Sequence, residues 1–420
     1  GAEPNRWGSY FGGSAWQYDP KRGEYYLHQF SRKQPDLNWE NPEVRKAVYR
    51  MMNWWMDRGI DGFRMDVITL ISKKEGLPND RLFPIYRGIR FYNHGPHIHE
   101  YLQEFRRDVL DHYSCMTLAE AVLVTPKRAL DYIAEDGPAE MDMMIQFQCM
   151  CADCFFTDYL PTKFSLRRLR RAFGNWQRKL DGRAWNMLYL ENHDHPRVLS
   201  RYGSEKYRTE SGKMLAASYL FQKGTPFVYQ GQEIGMENME FTSMDQIDDI
   251  STIDEYQVAL RAGCSEKEAL DAASAFSRDN ARTPVQWSAE KNAGFSEGEP
   301  WLGVNPNYKE INIESQLTDS NSLLSFYKKL TALRKAPEYK ETLVYGTFAP
   351  YQEEQKNLIA YTRNGEKNLL ILGNMQAQSQ KVSLPGEVKE VLLNNQKAVE
   401  ITEKEIILKP YQFIVLETAV

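Results

Sequence analysis

The chain has 420 residues, 42% hydrophobic and 12% aromatic, which is enough for a large core and about two domains. Its 57 acidic and 52 basic residues are mixed along the chain and give a formal net charge of −5, which argues against a nucleic-acid partner. No apolar run approaches the roughly 18 residues of a membrane-spanning helix, and the odd number of cysteines, five, favours a cytoplasmic location over a disulfide framework.

Helical and strand patterns alternate from about residue 40 onward. Residues 41–59 predict an amphipathic helix that begins after the N-cap Asn41 and ends at Gly59. The run GIDGFRMDVITL, residues 59–70, predicts a strand buried on both faces, although it carries Arg64 and Asp66. Further strands are predicted at 115–122, 140–149, 184–194 and 224–235, and further helices at 99–113, 125–136, 165–180, 203–224 and 322–339.

Ionisable residues collect at the carboxyl ends of these strands, where parallel sheets carry their chemistry. Arg64 and Asp66 end one strand, Glu120 another, and His193 and Asp194 a third. A single such pair is explained by a structural ion pair. Three strands that each deliver ionisable groups to the same edge favour a functional site.

The rest of the chain predicts a rim, a small β domain and a thiol cluster. Residues 235–320 read as a long irregular segment, which is typical of a functional lid or rim. After about residue 340 short alternating strands predict an antiparallel β domain with a tight hairpin at Asn364-Gly365. Cys149, Cys151 and Cys154 lack a fourth ligand at zinc spacing, so we predict reduced thiols and no metal.

Five motifs in fixed order resemble the α-amylase clan of glycoside hydrolases, and most closely its oligo-1,6-glucosidase and α-glucosidase branch. They are DGFRMDVI, MTLAE, LENHDHPR, GTPFVYQGQEIGM and the segment from SRDNARTPVQW to PWLGVNPNY. The resemblance implies an α/β fold, a (β/α)8 TIM barrel with about five of its eight units in this chain, and a C-terminal antiparallel β-sandwich. It divides the chain into 1–40, the end of an inserted segment after barrel strand 3; 41–340, the C-terminal part of the catalytic barrel; and 341–420, the β-sandwich.

The resemblance also implies a role for each candidate residue in a retaining α-glucosidase. Asp66 is then the nucleophile, Glu120 the acid/base and Asp194 the transition-state stabiliser. The other candidates are substrate-binding: Arg64, which orients Asp66; Val67, which selects α-1,6 over α-1,4 linkages; His193, which bonds sugar hydroxyls; and Arg282. The implied substrate is a short α-linked gluco-oligosaccharide, with no cofactor.

Two departures from the family pattern leave alternatives open. The segment FQCMCAD replaces the branch's FQFEHMD, so an α-1,4-glucosidase, a trehalose-6-phosphate hydrolase or a sucrose isomerase remains an alternative. The Asp-x-x-x-Asn-His strand end of the family is absent. The resemblance therefore implies an N-terminally truncated chain of little or no activity, unless another chain supplies the missing barrel segment. A catalytically silent relative, such as a transporter heavy chain, is disfavoured because Asp66, Glu120 and Asp194 are intact.

Overall fold

The computed structural model describes residues 1–80, 86–137, 139–155 and 157–419. They form two compact units, the first made of Gly1–Phe147 with Gly182–Ala184 and the second of Gln148–Asp181 with Trp185–Val420. None of the helices in these ranges is long and apolar enough to cross a bilayer. The predicted boundaries at residues 40 and 340 stay predictions.

The first unit is built around a three-stranded parallel sheet in the order β3-β4-β5. Its elements are β1 (Trp16–Asp19), β2 (Glu24–Leu27), α1 (Pro42–Met56), β3 (Gly62–Met65), α2 (Ile89–Tyr92), α3 (Ile98–Asp108), β4 (Met116–Glu120), α4 (Pro126–Ile133) and β5 (Met143–Ile145). β1 and β2 form an antiparallel hairpin that precedes the helices. Because β4 is central, its last residue, Glu120, lies at the same edge as the end of β3.

The predicted first helix is confirmed, and its ends follow ordinary capping rules. The Asn41 side chain accepts a hydrogen bond from the Glu43 N–H at 2.9 Å, and Pro42 occupies the first helical position. Beyond α1 the chain turns at Gly59, whose φ is 86°. Gly62 then starts β3, where a Cβ would collide with the Met116 carbonyl of β4, so only glycine allows the two strands to pair.

The predicted strand at 59–70 is wrong in length and in burial. β3 ends at Met65, Val67 takes up a left-handed conformation, and Ile68–Leu70 form a 3₁₀ turn. The Arg64 and Asp66 side chains are 31% and 68% exposed. The apolar residues after Asp66 are buried by the turn and not by a sheet, since Ile68 and Leu70 are both in the core.

The second unit begins with short strands and a set of helices. The strands are β6 (Cys154–Phe155), β7 (Thr157–Pro161), β8 (Met187–Leu188) and β9 (Thr225–Pro226). The helices are α5 (Leu166–Leu180), α6 (Val198–Tyr202), α7 (Arg208–Leu220), α8 (Ile250–Arg261), α9 (Glu266–Phe276), α10 (Asp279–Arg282), α11 (Ile313–Leu317), α12 (Leu323–Lys335) and α13 (Pro337–Tyr345). β8 and β9 are parallel neighbours, and β6 and β7 are antiparallel.

The prediction that 235–320 is a long irregular segment is wrong in part, because α8 and α9 lie within it. Ser265 and Glu268 form a capping box at the start of α9, and the helix that follows is rich in alanine. The capping box and the alanines favour a helix at this position. The helix was not predicted because Gly, Pro, Asn and Asp dominate the composition of the surrounding segment.

The antiparallel β domain is confirmed as a sandwich of two sheets. Its strands are β10 (Thr347–Pro350), β11 (Leu358–Asn364), β12 (Asn368–Asn374), β13 (Gln380–Ser383), β14 (Val388–Asn394), β15 (Glu400–Ile401), β16 (Glu405–Leu408) and β17 (Phe413–Thr418). They form the sheets β10-β11-β12-β17-β14 and β13-β16-β15. The Asn364-Gly365 hairpin is confirmed, since Asn364 pairs with Asn368 across its turn.

Strand alternation buries both faces of the larger sheet of the sandwich. Leu358, Leu370 and Leu416 point to the smaller sheet and pack with Val382 and Ile406. Their neighbours in sequence point the other way and join a core shared with α5, α7 and α12; they include Ile359, Tyr361, Leu369, Ile371, Phe413 and Val415.

Candidate active site

In the first unit one arginine contacts two carboxylates at the ends of neighbouring strands. Arg64 Nη1 pairs with Asp66 Oδ1, and Arg64 Nη2 lies 2.7 Å from Glu120 Oε1. The Glu120 side chain is only 5% exposed, whereas that of Asp66 is open to solvent. The structure thus brings three of the predicted site residues together at the ends of β3 and β4, with one carboxyl buried and one accessible.

Val67, the predicted linkage selector, contacts this group through its backbone. Its N–H donates to Glu120 Oε2 at 3.0 Å, while its side chain packs against the aromatic cluster that includes Trp7 and Tyr10. The buried Glu120 carboxylate is therefore contacted by a guanidinium and by a backbone N–H. Burial favours the protonated carboxyl, but Arg64 and the Val67 N–H both favour the ionised one.

In the second unit the remaining predicted residues form a separate cluster around Asp194. His193 Nε2 lies 3.0 Å from Asp194 Oδ2, and Arg282 Nη2 lies 3.3 Å from Asp194 Oδ1. Arg282 also donates from Nε to the His193 carbonyl at 3.1 Å. One carboxylate therefore faces several cationic or protonatable groups.

Two further residues of this cluster were missed from the sequence. Arg278 Nη1 lies 3.3 Å from Asp194 Oδ1, and its Nε donates to Asp249 Oδ1 at 3.0 Å. Arg278 had a signal, because it stands four residues before Arg282 and so shares a helix face with it. Asp249 had none, since it stands in none of the five motifs and is 29 residues from Arg278 in sequence.

The electrostatics of this cluster keep both acids ionised. Burial alone would raise the pKa of Asp194, but the hydrogen bond and charge of His193, together with Arg278, hold this pKa well below its ordinary value. Burial likewise opposes ionisation of Asp249, and the hydrogen bond and charge of Arg278 lower its pKa in spite of it. Asp194 is thus a fixed negative charge at neutral pH.

A buried ion pair contacts the backbone of α10, the short helix that follows Arg278 and ends at Arg282. Arg197 Nη1 lies 2.6 Å from Glu191 Oε1, and both side chains are almost fully buried. The same guanidinium donates to the carbonyls of Asn280 and Ala281, at 3.3 and 3.2 Å. Because these carbonyls lie between Arg278 and Arg282, Arg197 fixes the backbone from which both arginines extend.

The two clusters offer acid–base and nucleophilic chemistry with carboxylates. Within the described ranges, no three His, Cys, Asp or Glu side chains are grouped so that they could hold a metal ion. Asp66 is accessible, Glu120 is buried, and both contact Arg64. Such a pair of carboxyl groups is suited to a reaction that needs a nucleophile and a proton donor.

Comparison with protein families and curated sequences finds the same relatives over nearly the whole chain. Residues 1–346 match the family model described as alpha amylase, catalytic domain, and residues 358–415 match the alpha-amylase SusG C-terminal domain. The chain is 45% identical to an oligo-1,6-glucosidase of Parageobacillus thermoglucosidasius over 98% of its own length and 75% of that protein.

Solved structures give the same result at the level of the fold. A Bacillus licheniformis trehalose-6-phosphate hydrolase matches with a TM-score of 0.91 and 40% identity, over 99% of this chain and 76% of that one. Isomaltulose synthase from Klebsiella sp. LX3 matches with a TM-score of 0.93 and 36% identity, over the same shares. These matches confirm the predicted fold class, an α/β barrel with a C-terminal antiparallel domain.

Proposed function

The chain belongs to the α-amylase family of glycoside hydrolases, and on that premise we propose that it is a retaining, exo-acting α-glucosidase for the α-1,6 bonds of short isomalto-oligosaccharides. The observation that carries this proposal is the contact of Arg64 with both Asp66 and Glu120. A retaining glycosidase needs two carboxyl groups about 5 Å apart, and one guanidinium that touches both keeps them close together.

The proposed reaction proceeds in two displacements. The Asp66 carboxylate attacks the anomeric carbon while Glu120 protonates the departing glycosidic oxygen, which leaves a glucosyl ester on Asp66. Glu120, now ionised, takes a proton from water, and the resulting nucleophile cleaves that ester with the same anomeric configuration. Each step inverts the anomeric centre once, so the product retains the configuration of the substrate.

The other candidates have supporting roles in this proposal. Arg64 orients Asp66 for the attack, which is consistent with their ion pair. Asp194 carries a stable negative charge that opposes the positive charge developing on the sugar ring. His193 and Arg282 supply hydrogen-bond donors for sugar hydroxyls.

The proposed α-1,6 preference rests on relatives and on Val67. Three curated relatives named oligo-1,6-glucosidase share 43–45% identity with the chain. A β-branched residue directly after Asp66 narrows the space beside the nucleophile. Such a difference in pocket shape is worth about 1 to 3 kcal/mol, so we expect a strong but incomplete preference. The odd number of cysteines supports a cytoplasmic location as part of the same proposal.

The experiment is glucose release from isomaltose and maltose by the 420-residue chain and by Asp66→Asn. Because the family's Asp-x-x-x-Asn-His strand end is absent, we expect a low absolute rate, with hydrolysis of isomaltose about tenfold or more above that of maltose and a fall to background in the variant. Trehalose 6-phosphate is the third substrate in the panel. Faster hydrolysis of that substrate or of maltose than of isomaltose would contradict the proposed linkage.

A further inference from the structure

The turn after Asp66 contains a residue in an unfavourable backbone conformation. Val67 has φ 35° and ψ 40°, in the left-handed region that β-branched residues rarely adopt. Its N–H nevertheless points at Glu120 Oε2, 3.0 Å away. Such conformations persist only where the surrounding structure enforces them. Because the Val67 N–H bonds to Glu120, the contacts that hold Val67 in this conformation also affect the position of Glu120.

The segment 93–94 holds this turn at two points. Thr69, which is fully buried, donates from Oγ1 to Asn93 Oδ1 at 3.0 Å. The Thr69 carbonyl accepts the His94 N–H at 2.9 Å. Within the turn itself the Leu70 N–H donates to the Val67 carbonyl at 2.9 Å. Replacing Asn93 would thus remove one of the two contacts on Thr69, which lies two residues after the strained Val67.

Asn93 also reaches the chain that follows Glu120. Its Nδ2 donates to the Val122 carbonyl at 3.1 Å, two residues beyond Glu120. One side chain therefore connects the turn after Asp66 with the segment after Glu120. The connection requires a carboxamide, because one end accepts a hydrogen bond and the other donates one. A carboxylate at this position would place an acceptor against the Val122 carbonyl.

We propose that Asn93 is a positioning residue that holds Glu120 in place for proton transfer, by clamping the Val67 turn to the segment after β4. This inference rests on the proposed function and adds a role that the candidate residues do not include. If it is right, disturbing Asn93 harms the step in which Glu120 protonates the leaving group. Substrates whose leaving group departs without that proton are then spared.

The test compares kcat/KM for isomaltose and for p-nitrophenyl α-glucoside in Asn93→Asp. Isomaltose releases a sugar alkoxide, which needs a proton, whereas nitrophenolate leaves with little help. We expect kcat/KM for isomaltose to fall about 10- to 100-fold and that for the nitrophenyl substrate to change by less than about threefold. Thr69→Val, which removes the hydroxyl donor, should shift the ratio in the same direction. Asn38→Asp, at an exposed position of the same unit, is the matched control and should leave both values unchanged.

The outcomes separate this inference from the function on which it rests. Equal loss on both substrates in Asn93→Asp and Thr69→Val, with an unchanged thermal unfolding midpoint, would make the clamp merely structural and overturn the inference alone. No change on either substrate would also overturn it. If Asn93→Asp unfolds at the assay temperature, the Thr69→Val ratio decides. A wild-type chain that cleaves neither substrate would overturn the proposed function and this inference together.

Discussion

At the scale of single residues, Arg64 contacts two carboxylates at once, which a lysine would do less well. Its planar guanidinium presents two nitrogens to two different carboxylates, Asp66 and Glu120. In the proposed mechanism the first contact orients Asp66 as the nucleophile. The second contact lies on Glu120, which in that mechanism must carry a proton at the first displacement and give it to the leaving group.

His94 makes the fold sensitive to acid. Burial lowers the pKa of His94 to about 4; Arg128 and His99 contribute to this, and Asp131 opposes it. The Tyr132 hydroxyl lies 2.6 Å from His94 Nδ1, and a neutral ring can accept a hydrogen bond from it. Between pH 6.5 and 4 the unfolded chain binds a proton that the folded chain does not. Stability present above pH 6.5 is therefore lost as the pH falls towards 4.

The variant His94→Asn tests this loss, since asparagine tolerates the positive φ of 54° at this position. We expect the free energy of unfolding of the wild type to fall between pH 7.5 and 4.5 by about 2 kcal/mol more than that of the variant, after allowance for partial exposure. Urea unfolding at the two pH values measures the difference. Parallel losses in the two proteins would show that His94 does not carry the acid sensitivity.

The sequence predicted the site residues that stand in a recognisable motif. It did not predict residues whose role depends only on contacts in the folded chain. Arg64, Asp66 and Glu120 stand at predicted strand ends, and the structure brings them together. Asn93 is different, because its neighbours Thr69 and Val122 lie 24 and 29 residues away in sequence. No local pattern encodes such a pair of hydrogen bonds. The catalytic roles of the motif residues stay predictions until they are assayed.

At the scale of elements, helices were predicted better than strands. Helices α1, α4 and α5 each begin after a capping side chain that can be read from the sequence, namely Asn41, Thr125 and Ser165. The predicted strands at 184–194 and 224–235 were wrong in length, because β8 and β9 are only two residues long. Apolar runs mark burial, and residues such as Leu190 are buried here without being paired in a sheet.

Parallel pairing was nevertheless predicted correctly. Among the described residues, β3, β4 and β5 form one parallel sheet and β8 and β9 another. The alternation of helix and strand was the informative signal, because parallel neighbours require a crossover between them. What the pattern could not provide was the point at which each strand stops. That point depends on hydrogen bonds such as the one between Val67 and Glu120, beyond the last pair of β3 and β4.

At the scale of the whole molecule, one buried arginine joins the β-sandwich to the helices within the second unit. Arg363 of β11 is fully buried and donates to the carbonyls of Phe221, Leu343 and Gly346, at 2.7, 2.9 and 2.7 Å. These carbonyls lie at the ends of α7 and α13, where helices leave acceptors unsatisfied. Burial lowers the pKa of Arg363 to about 10, so it remains a cation at neutral pH.

Replacing this arginine should loosen the second unit. Arg363→Met keeps similar bulk but leaves several buried carbonyls without donors, and we expect a loss of about 2 to 4 kcal/mol in the free energy of unfolding. Lys381→Met, which removes an exposed ion pair with Glu405 in the same sandwich, should cost less than about 0.5 kcal/mol. Urea unfolding of both variants measures the contrast. Equal midpoints would mean that the arginine contacts contribute nothing to stability.

The central proposal, that Asp66 is the nucleophile, is tested most directly by identifying the residue that carries the sugar during the reaction. A 5-fluoro-α-glucosyl fluoride keeps a good leaving group, while its ring fluorine slows both displacements, so the glucosyl ester accumulates. Peptic digestion and mass spectrometry then locate the label. If Asp66 is the nucleophile, one fluoroglucosyl group is found on the peptide that contains Asp66, and none on Asp66→Asn. Turnover without any label, or a label on another carboxylate, would show that Asp66 is not the nucleophile.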